Sequence, residues 1–270
     1  MSIPIVSEAN RRLRVLWILA FWLVVGVSAY VFGVLSSAGQ RAEDNVLSAS
    51  QFTTDPPAPL GLVSPMTIVI ALIALGLVAL WVHGIIRTLI VVLVPGLAIV
   101  ASQLLKSDVL WRPDLLSIAE NSFPSGHMTV FTVVVAAAVY AVPRQIRALT
   151  AAGGAVLLGI VAWQLLAYGW HRPSDVLGAL ALGVASFAAV TLLTPLKPSG
   201  GVWLVRTTSI GLAMVGWIMI AASLVLAFIA WRASSADLLL NAGQFGAIAL
   251  CMLASHSLLR LAILSRSAKE

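Results

Sequence analysis

The sequence predicts an all-α, polytopic membrane helix bundle, and three observations support this prediction. The chain of 270 residues is 60% hydrophobic and only 10% charged. Its mean hydropathy of +1.03 lies well above the values of soluble globular domains. Apolar stretches of about 20 residues, the length that a helix needs to cross a bilayer, recur along the whole chain. We therefore interpret it as an integral membrane protein.

Eight apolar stretches are predicted to cross the membrane as helices. They cover residues 15–38, 64–81, 86–105, 128–142, 148–170, 176–195, 207–231 and 242–261. The fourth is short and needs residues from its flanks to span the bilayer. The first follows a cluster of arginines, as a signal peptide does, but its apolar run is longer than the roughly 7–15 residues of a signal segment. We expect it to remain in the protein as an uncleaved anchor.

The distribution of Lys and Arg predicts the orientation of these helices, because cytoplasmic loops carry an excess of positive charge. With a cytoplasmic N-terminus, eight crossings return the C-terminus to the cytoplasm. The outer face then holds only five of the 16 cationic residues, which are Arg41, Lys106, Arg112, Arg172 and Arg232. The sequence therefore predicts a multi-pass protein of the cell membrane with both termini inside.

The net charge and the cysteine content limit the partners and sites that the sequence predicts. The formal net charge is +6 and the pI is about 10.2, but no basic run is interleaved with polar residues as a nucleic-acid-binding face requires. We expect no nucleic-acid partner. The single cysteine, Cys251, lies in an apolar stretch, which excludes an intramolecular disulfide and a cysteine-based metal cluster. The sequence leaves the oligomeric state open.

Polar residues concentrate in two loops on the predicted outer face. The loop after the third helix contains Lys106, Arg112 and Pro-Ser-Gly-His at residues 124–127, and the loop after the fifth contains Gly-Trp-His-Arg-Pro-Ser-Asp at residues 169–175. These residues fit the binding of an oxyanion and its transfer by a nucleophile and an acid. The first outer loop, residues 39–61, is polar and rich in proline. We expect irregular or interfacial structure there and assign it no catalytic role.

These motifs resemble those of the type 2 phosphatidic acid phosphatase (PAP2) superfamily of integral membrane lipid phosphatases. The family pattern has Lys, six residues and Arg-Pro, then Pro-Ser-Gly-His, then Ser-Arg, five residues, His, three residues and Asp. The second motif matches residues 124–127 completely, and His171 and Asp175 match the end of the third. The resemblance covers about the first six helices. It implies a six-helix PAP2-like catalytic membrane domain at residues 1–200, and two additional C-terminal transmembrane helices of unknown role at residues 201–270.

Two departures from the family pattern concern the cationic residues. Lys106 and Arg112 have five residues between them, and at about 100° per residue this moves them off a common helical face unless the helix breaks just before Arg112. The Ser-Arg pair of the third motif would fall at Gln164 and Leu165, so its arginine is absent. Arg172 is our candidate substitute.

The resemblance implies a role for each residue of this site. His171 would attack phosphorus and form a phosphohistidine. Asp175, four residues later and on the same helical face, would set the tautomer of His171 and stabilise the imidazolium that forms. His127 would be the general acid that protonates the leaving oxygen. The phosphate oxygens would be bound by Lys106, Arg112, Ser125, Gly126 and Arg172.

The implied activity is that of a metal-independent lipid phosphate or pyrophosphate phosphatase, which acts at the outer face of the membrane and needs no cofactor. The sequence contains no obvious carboxylate cluster that would hold magnesium. The expected partner is a phosphorylated membrane lipid, and polyprenyl, glycerolipid and prenyl-sugar phosphates all remain open. Two alternatives are an impaired family member that binds or moves anionic lipids, suggested by Leu165, and a lipid phosphotransferase that passes the phosphoryl group to an alcohol.

Overall fold

The computed structural model describes residues 8–115, 120–194 and 203–265, and within these ranges the chain is helical without β-strands. The helices of the described residues are α1 (Glu8–Ser28), α2 (Ser37–Ser48), α3 (Pro65–His83), α4 (Ile85–Leu104), α5 (Gly126–Ala141), α6 (Arg147–Ala167), α7 (Pro173–Leu193), α8 (Trp203–Ala233) and α9 (Ala236–Leu264).

The predicted all-α membrane bundle is confirmed. Seven helices in the described ranges are long and apolar enough to cross a membrane, namely α1, α3, α4 and α6 to α9. The remaining predicted crossing is α5, which has only 16 residues and is the short fourth helix of the prediction. The predicted end of the sixth crossing, at residue 195, lies outside the described residues. The chain is therefore a multi-pass membrane protein.

The polar loop between the first two crossings contains a helix of its own. Ser36 caps α2 by accepting a hydrogen bond from the Gly39 amide at 3.0 Å. Gln40 and Glu43 on this helix are buried although they are polar. A buried carboxylate requires partners inside the protein, so α2 packs with its polar face against the bundle.

Local sequence signals determine where several helices begin. The Ser64 hydroxyl accepts a hydrogen bond from the Thr67 amide at 3.2 Å before α3, and the Ser235 hydroxyl accepts one from the Leu238 amide at 3.3 Å before α9. Proline occupies the first position of α3 and of α7, where its missing N–H removes no helical hydrogen bond.

The last two helices belong to the same bundle as the others. One continuous apolar core contains side chains from α1, α5, α6, α7 and α9. Within it, the Trp22 indole N–H on α1 donates a hydrogen bond to the Ser257 hydroxyl on α9 at 3.0 Å. α8 packs along α9 and leaves most of its own surface exposed. The boundary proposed at residue 200 falls outside the described residues.

The helix order brings the polar segments of interest to one end of the bundle. α4 ends there, and α5 and α7 begin there. The starts of α5 and α7 are joined by a hydrogen bond of 3.0 Å from the Ser125 amide to the Asp175 carbonyl. The opposite end holds buried basic residues: Arg87 donates to the carbonyl of Ala262 at 3.2 Å, and Arg147 donates to the same carbonyl at 3.0 Å.

Gly183 is a position where close helix packing can be tested. A Cβ added there would lie 2.5 Å from Thr132 Cγ2 on α5, and the Thr132 rotamer is held by a hydrogen bond to the Met128 carbonyl at 2.7 Å. We expect Gly183→Ala to lower the free energy of unfolding by about 1–3 kcal/mol, the usual cost of overpacking a core. Thermal denaturation of the protein in detergent measures the effect.

Gly153→Ala is the matched control, because no atom lies within 4 Å of the Cβ it would add on the exposed side of α6. Alanine favours a helix over glycine, so this variant should melt at the same temperature as the wild type or slightly above it. A Gly183→Ala protein as stable as the Gly153→Ala protein would contradict the packing argument.

Candidate active site

Three segments that the sequence analysis grouped together meet at one end of the bundle. The Ser125 amide donates to the Asp175 carbonyl, as described above. The ring centroids of His127 and His171 lie 6.1 Å apart. Arg112 Nη2 lies 3.9 Å from Asp175 Oδ1. The structure therefore brings the cationic segment, the Pro-Ser-Gly-His segment and the His-Asp segment into one cluster.

A buried carboxylate orients His171. Asp175 Oδ2 lies 3.3 Å from His171 Nδ1 and also accepts hydrogen bonds from the Ser122 hydroxyl at 2.6 Å and the Arg172 amide at 3.0 Å. The Asp175 side chain is 0% exposed, so water does not compete for it. A carboxylate at Nδ1 favours the tautomer with the proton on that nitrogen and leaves the lone pair of Nε2 for chemistry.

The turn that ends α6 determines where His171 lies. Gly169 has a φ of +65°, in the left-handed region that glycine enters without strain. With the chain reversed there, the amides of Trp170 and His171 donate to the Leu165 carbonyl at 3.0 and 3.2 Å. α7 begins two residues later at Pro173. His171 is thus held between the end of one helix and the start of the next.

The Pro-Ser-Gly-His segment forms the start of α5. Ser125 is fully buried, and its hydroxyl oxygen caps the helix by accepting a hydrogen bond from the Met128 amide at 3.2 Å. Gly126 and His127 occupy the first helical positions, whose amides have no helical carbonyl to bond and carry the positive end of the helix dipole. The Trp170 ring contacts His127 edge-on, with centroids 5.4 Å apart. The start of α5 therefore places unbonded amides and an imidazole at the cluster.

Lys106 and Arg112 reach the cluster from two different backbone environments. Lys106 lies in a π-helical turn that continues α4 as far as Val109, and Leu110 is extended with φ −105° and ψ 140°. Arg112 follows in irregular chain. The helix break that the spacing required is present, so the two cations need not share a helical face. Lys106 lies close enough to His127 to interact with it electrostatically.

Residues that the sequence analysis did not select hold the Arg112 segment in place. The Tyr30 hydroxyl donates to the Trp111 carbonyl at 2.8 Å and accepts from the Trp111 amide at 3.1 Å. Gln40 on α2 donates to the Pro113 carbonyl at 2.8 Å. These contacts join parts of the chain that are more than 70 residues apart. No local pattern in the sequence signals them.

α2 also brings two carboxylates to the arginines of the site, although the sequence analysis assigned its loop no part there. Glu43 Oε1 accepts a hydrogen bond from the Ser174 amide at 2.9 Å, and Glu43 Oε2 lies 3.4 Å from Arg112 Nη2. Asp44 Oδ1 lies 3.9 Å from Arg172 Nη2. Burial raises the pKa of the Glu43 carboxyl above its usual value, because desolvation disfavours the charged form.

Four buried polar atoms of the cluster form no hydrogen bond with any described residue, namely Arg112 Nε, Arg172 Nε, Ser174 Oγ and Asp175 Oδ1. Such atoms are rare in folded proteins, and each costs about 1–3 kcal/mol when it stays without a partner. The two guanidinium N–H groups are donors of the kind that phosphate oxygens accept from. Their presence therefore points to an oxyanion as the ligand of this cluster.

No cation stands at the position of the arginine in the third family motif. Leu165 is fully buried in the apolar core. Gln164 uses its side-chain oxygen to accept a hydrogen bond from the Leu60 amide at 3.2 Å. Arg172 instead enters the cluster from the residue before α7, where its Nη1 lies 3.4 Å from Ser122 Oγ. Arg172, the candidate substitute for the missing arginine, therefore reaches the cluster from the start of α7, whereas Leu165 lies on α6.

The described part of the chain contains no group of three or more His, Cys, Asp or Glu side chains that could hold a metal ion. The two histidines outside the cluster have contacts of their own. His83 Nε2 lies 3.2 Å from Arg147 Nη2 at the opposite end of the bundle, and His256 Nδ1 lies 2.7 Å from the Ser209 carbonyl. Both histidines therefore have contacts within the bundle that are separate from the cluster.

Glu43→Gln tests whether the buried carboxyl shapes the pH dependence of stability. Because its pKa is raised in the folded protein, folded Glu43 binds a proton at pH values where the unfolded chain has lost it. Stability should therefore fall as pH rises from the ordinary carboxyl pKa, about 4.3, through the raised pKa. Gln cannot ionise, so the variant should show a flatter slope. The melting temperature in detergent, measured across this window, gives the slope.

The exposed Glu8 on α1, which pairs with Arg12 at 3.1 Å, supplies the control Glu8→Gln, because an exposed pair contributes little to stability. This control should keep the wild-type slope. If Glu43→Gln also keeps the wild-type slope of melting temperature against pH, the buried Glu43 carboxyl does not contribute to the pH dependence of stability.

Comparison with known families identifies the segment that carries the cluster. Residues 67–198 match the family model of the PAP2 superfamily, which confirms the resemblance seen in the motifs. All eight site residues predicted from the sequence fall within this match, whereas Glu43, α8 and α9 lie outside it. Comparison with curated proteins and with solved structures found no match. Residues 67–198 thus match the PAP2 superfamily, whose members are phosphatases that act on phosphate esters.

Proposed function

We propose that this protein hydrolyses the phosphate or pyrophosphate group of a membrane lipid through a phosphohistidine intermediate, without a metal ion. The observation that carries this proposal is the buried Asp175 carboxylate at His171 Nδ1, with the His127 ring 6.1 Å from the His171 ring. A nucleophile, the group that orients it and a proton donor are thereby close enough to act on one phosphoryl group.

In the first step, the Nε2 lone pair of His171 attacks phosphorus, and the bond between phosphorus and the leaving oxygen breaks. His127, which begins as an imidazolium, donates its proton to that oxygen, so the dephosphorylated lipid leaves as a neutral alcohol or, from a pyrophosphate, as the monophosphate. The positive charge that develops on the His171 ring is stabilised by Asp175 through Nδ1–H. The negative charge of the phosphate favours the protonated form of His127.

In the second step, water attacks the phosphorus of the phosphohistidine. His127, now neutral, accepts a proton from this water, and the bond between phosphorus and His171 Nε2 breaks. Inorganic phosphate leaves, and both imidazoles return to their starting states. The same residue thus serves as acid and then as base, as reversal of the proton transfer requires.

The charge of the transferred group would be balanced by protein cations and helix amides. Lys106 supplies a point charge, and a guanidinium supplies paired N–H donors that fit two phosphate oxygens. The unbonded Nε–H groups of the two arginines in the cluster support this role, as does the start of α5, because helix N-termini bind anions. The phosphate-binding residues in this proposal are Lys106, Arg112, Ser125, Gly126 and Arg172.

The substrate is proposed to be a lipid because the site lies at one end of a membrane-spanning bundle, where a headgroup can reach the cluster while its chain remains in the apolar layer. The excess of cationic residues in the other loops supports placing this end outside the cell and both termini in the cytoplasm. Polyprenyl, glycerolipid and prenyl-sugar phosphates all satisfy this geometry.

Phosphate release from a panel of these lipids by the detergent-purified protein tests the proposal. Wild-type release should persist in the presence of a chelator, and His171→Ala should abolish it because no nucleophile remains. His83→Ala, which changes a histidine at the opposite end of the bundle, is the control and should retain release. Release by the His171→Ala protein at the wild-type rate would rule out the phosphohistidine.

Arg172→Ala tests whether Arg172 replaces the missing family arginine. Loss of a charge-assisted hydrogen bond to phosphate costs about 1.5–3 kcal/mol, so we expect KM to rise by about tenfold or more. Arg232→Ala removes an exposed cation at the end of α8 and should leave KM unchanged. Equal KM values for the two variants would exclude Arg172 from phosphate binding.

A second candidate function follows from Leu165, whose burial leaves no cation at the position of the third-motif arginine. A member with impaired catalysis would bind or move anionic lipids and release no phosphate. A lipid phosphotransferase would form the same phosphohistidine and pass it to an alcohol. Adding an acceptor alcohol to the release assay separates these cases, because transfer yields a new phosphate ester, hydrolysis yields inorganic phosphate and a carrier yields neither.

A further inference from the structure

An apolar cavity of about 620 Å³ opens between α1, α2, α7, α8 and α9. Its volume falls within the range of about 300–1,000 Å³ that is typical of small-molecule sites. Among the residues that line it, Glu43 is the only charged one. Much of its wall is aliphatic or aromatic, as Val24, Phe32, Leu177, Leu224 and Leu250 illustrate.

The cavity lies in the half of the bundle that contains the candidate active site. α8 lines it with residues from 220–227, near its end, and α9 with residues from 239–250, near its start. Pro173 and Ser174, at the beginning of α7, also line it. Ser174 follows His171 by three residues, which is less than one helical turn.

The polar groups at the α7 side of the cavity connect it to the active site. Glu43 lines the cavity and at the same time contacts Arg112 with Oε2. Ser174 is only 4% exposed, and its hydroxyl lies beside the Glu43 carboxylate without a well-aligned hydrogen bond to it. A hydroxyl at this position can turn toward a ligand oxygen in the cavity.

We propose, resting on the phosphatase function proposed above, that this cavity binds the hydrocarbon chain of the lipid substrate. The chain would lie among the apolar side chains, with its phosphorylated end toward Arg112 and an oxygen of its head region accepting a hydrogen bond from Ser174. α8 and α9, which lie outside the family match, acquire a function in this arrangement. They form the part of the site that selects long-chain substrates.

Small residues keep the cavity open. A Cβ added to Gly243 on α9 would have Pro173 Cγ as its nearest neighbour, at an ordinary contact distance of 3.4 Å. Ala227 on α8 lines the cavity and is partly exposed. A cavity of about 620 Å³ has room for one large side chain that extends from its wall. Ala227→Trp therefore fills the proposed chain site.

The kinetic test compares butyl phosphate with hexadecyl phosphate as substrates of the detergent-purified protein. Each methylene removed from an apolar site costs about 0.8 kcal/mol, which is roughly a fourfold change in affinity. Ala227→Trp should therefore lower the ratio of hexadecyl to butyl kcat/KM by about tenfold or more. Ala221→Trp, on an exposed position of the same helix that does not line the cavity, should keep the wild-type ratio. An unchanged ratio in Ala227→Trp would overturn the chain site.

A binding measurement keeps the inference separate from catalysis. The His171→Ala protein is labelled with hexadecyl phosphate that carries a diazirine at the end of its chain, and the labelled peptides are mapped. Label within residues 220–227 and 239–250 that unlabelled hexadecyl phosphate removes, and that hexadecanol does not, supports a chain site linked to a phosphate head. Label distributed over the membrane-facing surface shows ordinary bilayer contact, and label that hexadecanol removes equally shows a site that does not recognise the phosphate head. Either outcome overturns the inference.

The two measurements distinguish failure of this inference from failure of the proposed function. Specific labelling in the cavity without phosphate release by the wild-type protein would support the chain site and reject the phosphatase. Phosphate release by the wild-type protein with labelling elsewhere would support the phosphatase and reject the chain site.

Discussion

The buried Asp175 carboxylate is the interaction on which the rest of the site depends. A carboxylate that is removed from water must be compensated by hydrogen bonds and cations within the protein. Here these partners come from three segments: the ring of His171, the hydroxyl of Ser122 and, at 3.9 Å, the guanidinium of Arg112. The main-chain carbonyl of Asp175 also accepts the Ser125 amide. One residue in the first turn of α7 thereby fixes the ring of His171, the start of α5 and the position of the Arg112 guanidinium.

The arginines of the site are held by parts of the chain that precede the family segment. Glu43 and Asp44 on α2 lie against Arg112 and Arg172, so the guanidinium groups are oriented before any anion binds. This pairing leaves the Nε–H group of each arginine unbonded. In the proposed function, the carboxylates would orient the two guanidinium groups, and the substrate would accept hydrogen bonds from the Nε–H groups.

The two C-terminal helices have different relations to the core. α9 contributes to the central apolar cluster, whereas α8 leaves most of its surface exposed. A helix that is buried on many sides, such as α9, stabilises the bundle. A helix that packs on one face only, such as α8, can leave a cavity along the edge of that face. The cavity beside Ser174 lies where α8, α9 and the C-terminal end of α1 meet α7. α8 and α9 thus complete the bundle and line a cavity next to the candidate active site.

The sequence by itself determined the membrane class, the helical crossings and the relation between His171 and Asp175. Hydrophobic length is a local property, and residues four apart share a helical face whatever surrounds them. The roles of Tyr30, Gln40 and Glu43 were decided only by the tertiary structure, which brings α1 and α2 against the Arg112 segment. The cavity also depends on the tertiary structure, because the helices that line it are distant from one another in the sequence. Contacts between distant parts of the chain depend on how the helices pack. The periodic patterns of one sequence report local structure only, so they do not show these contacts.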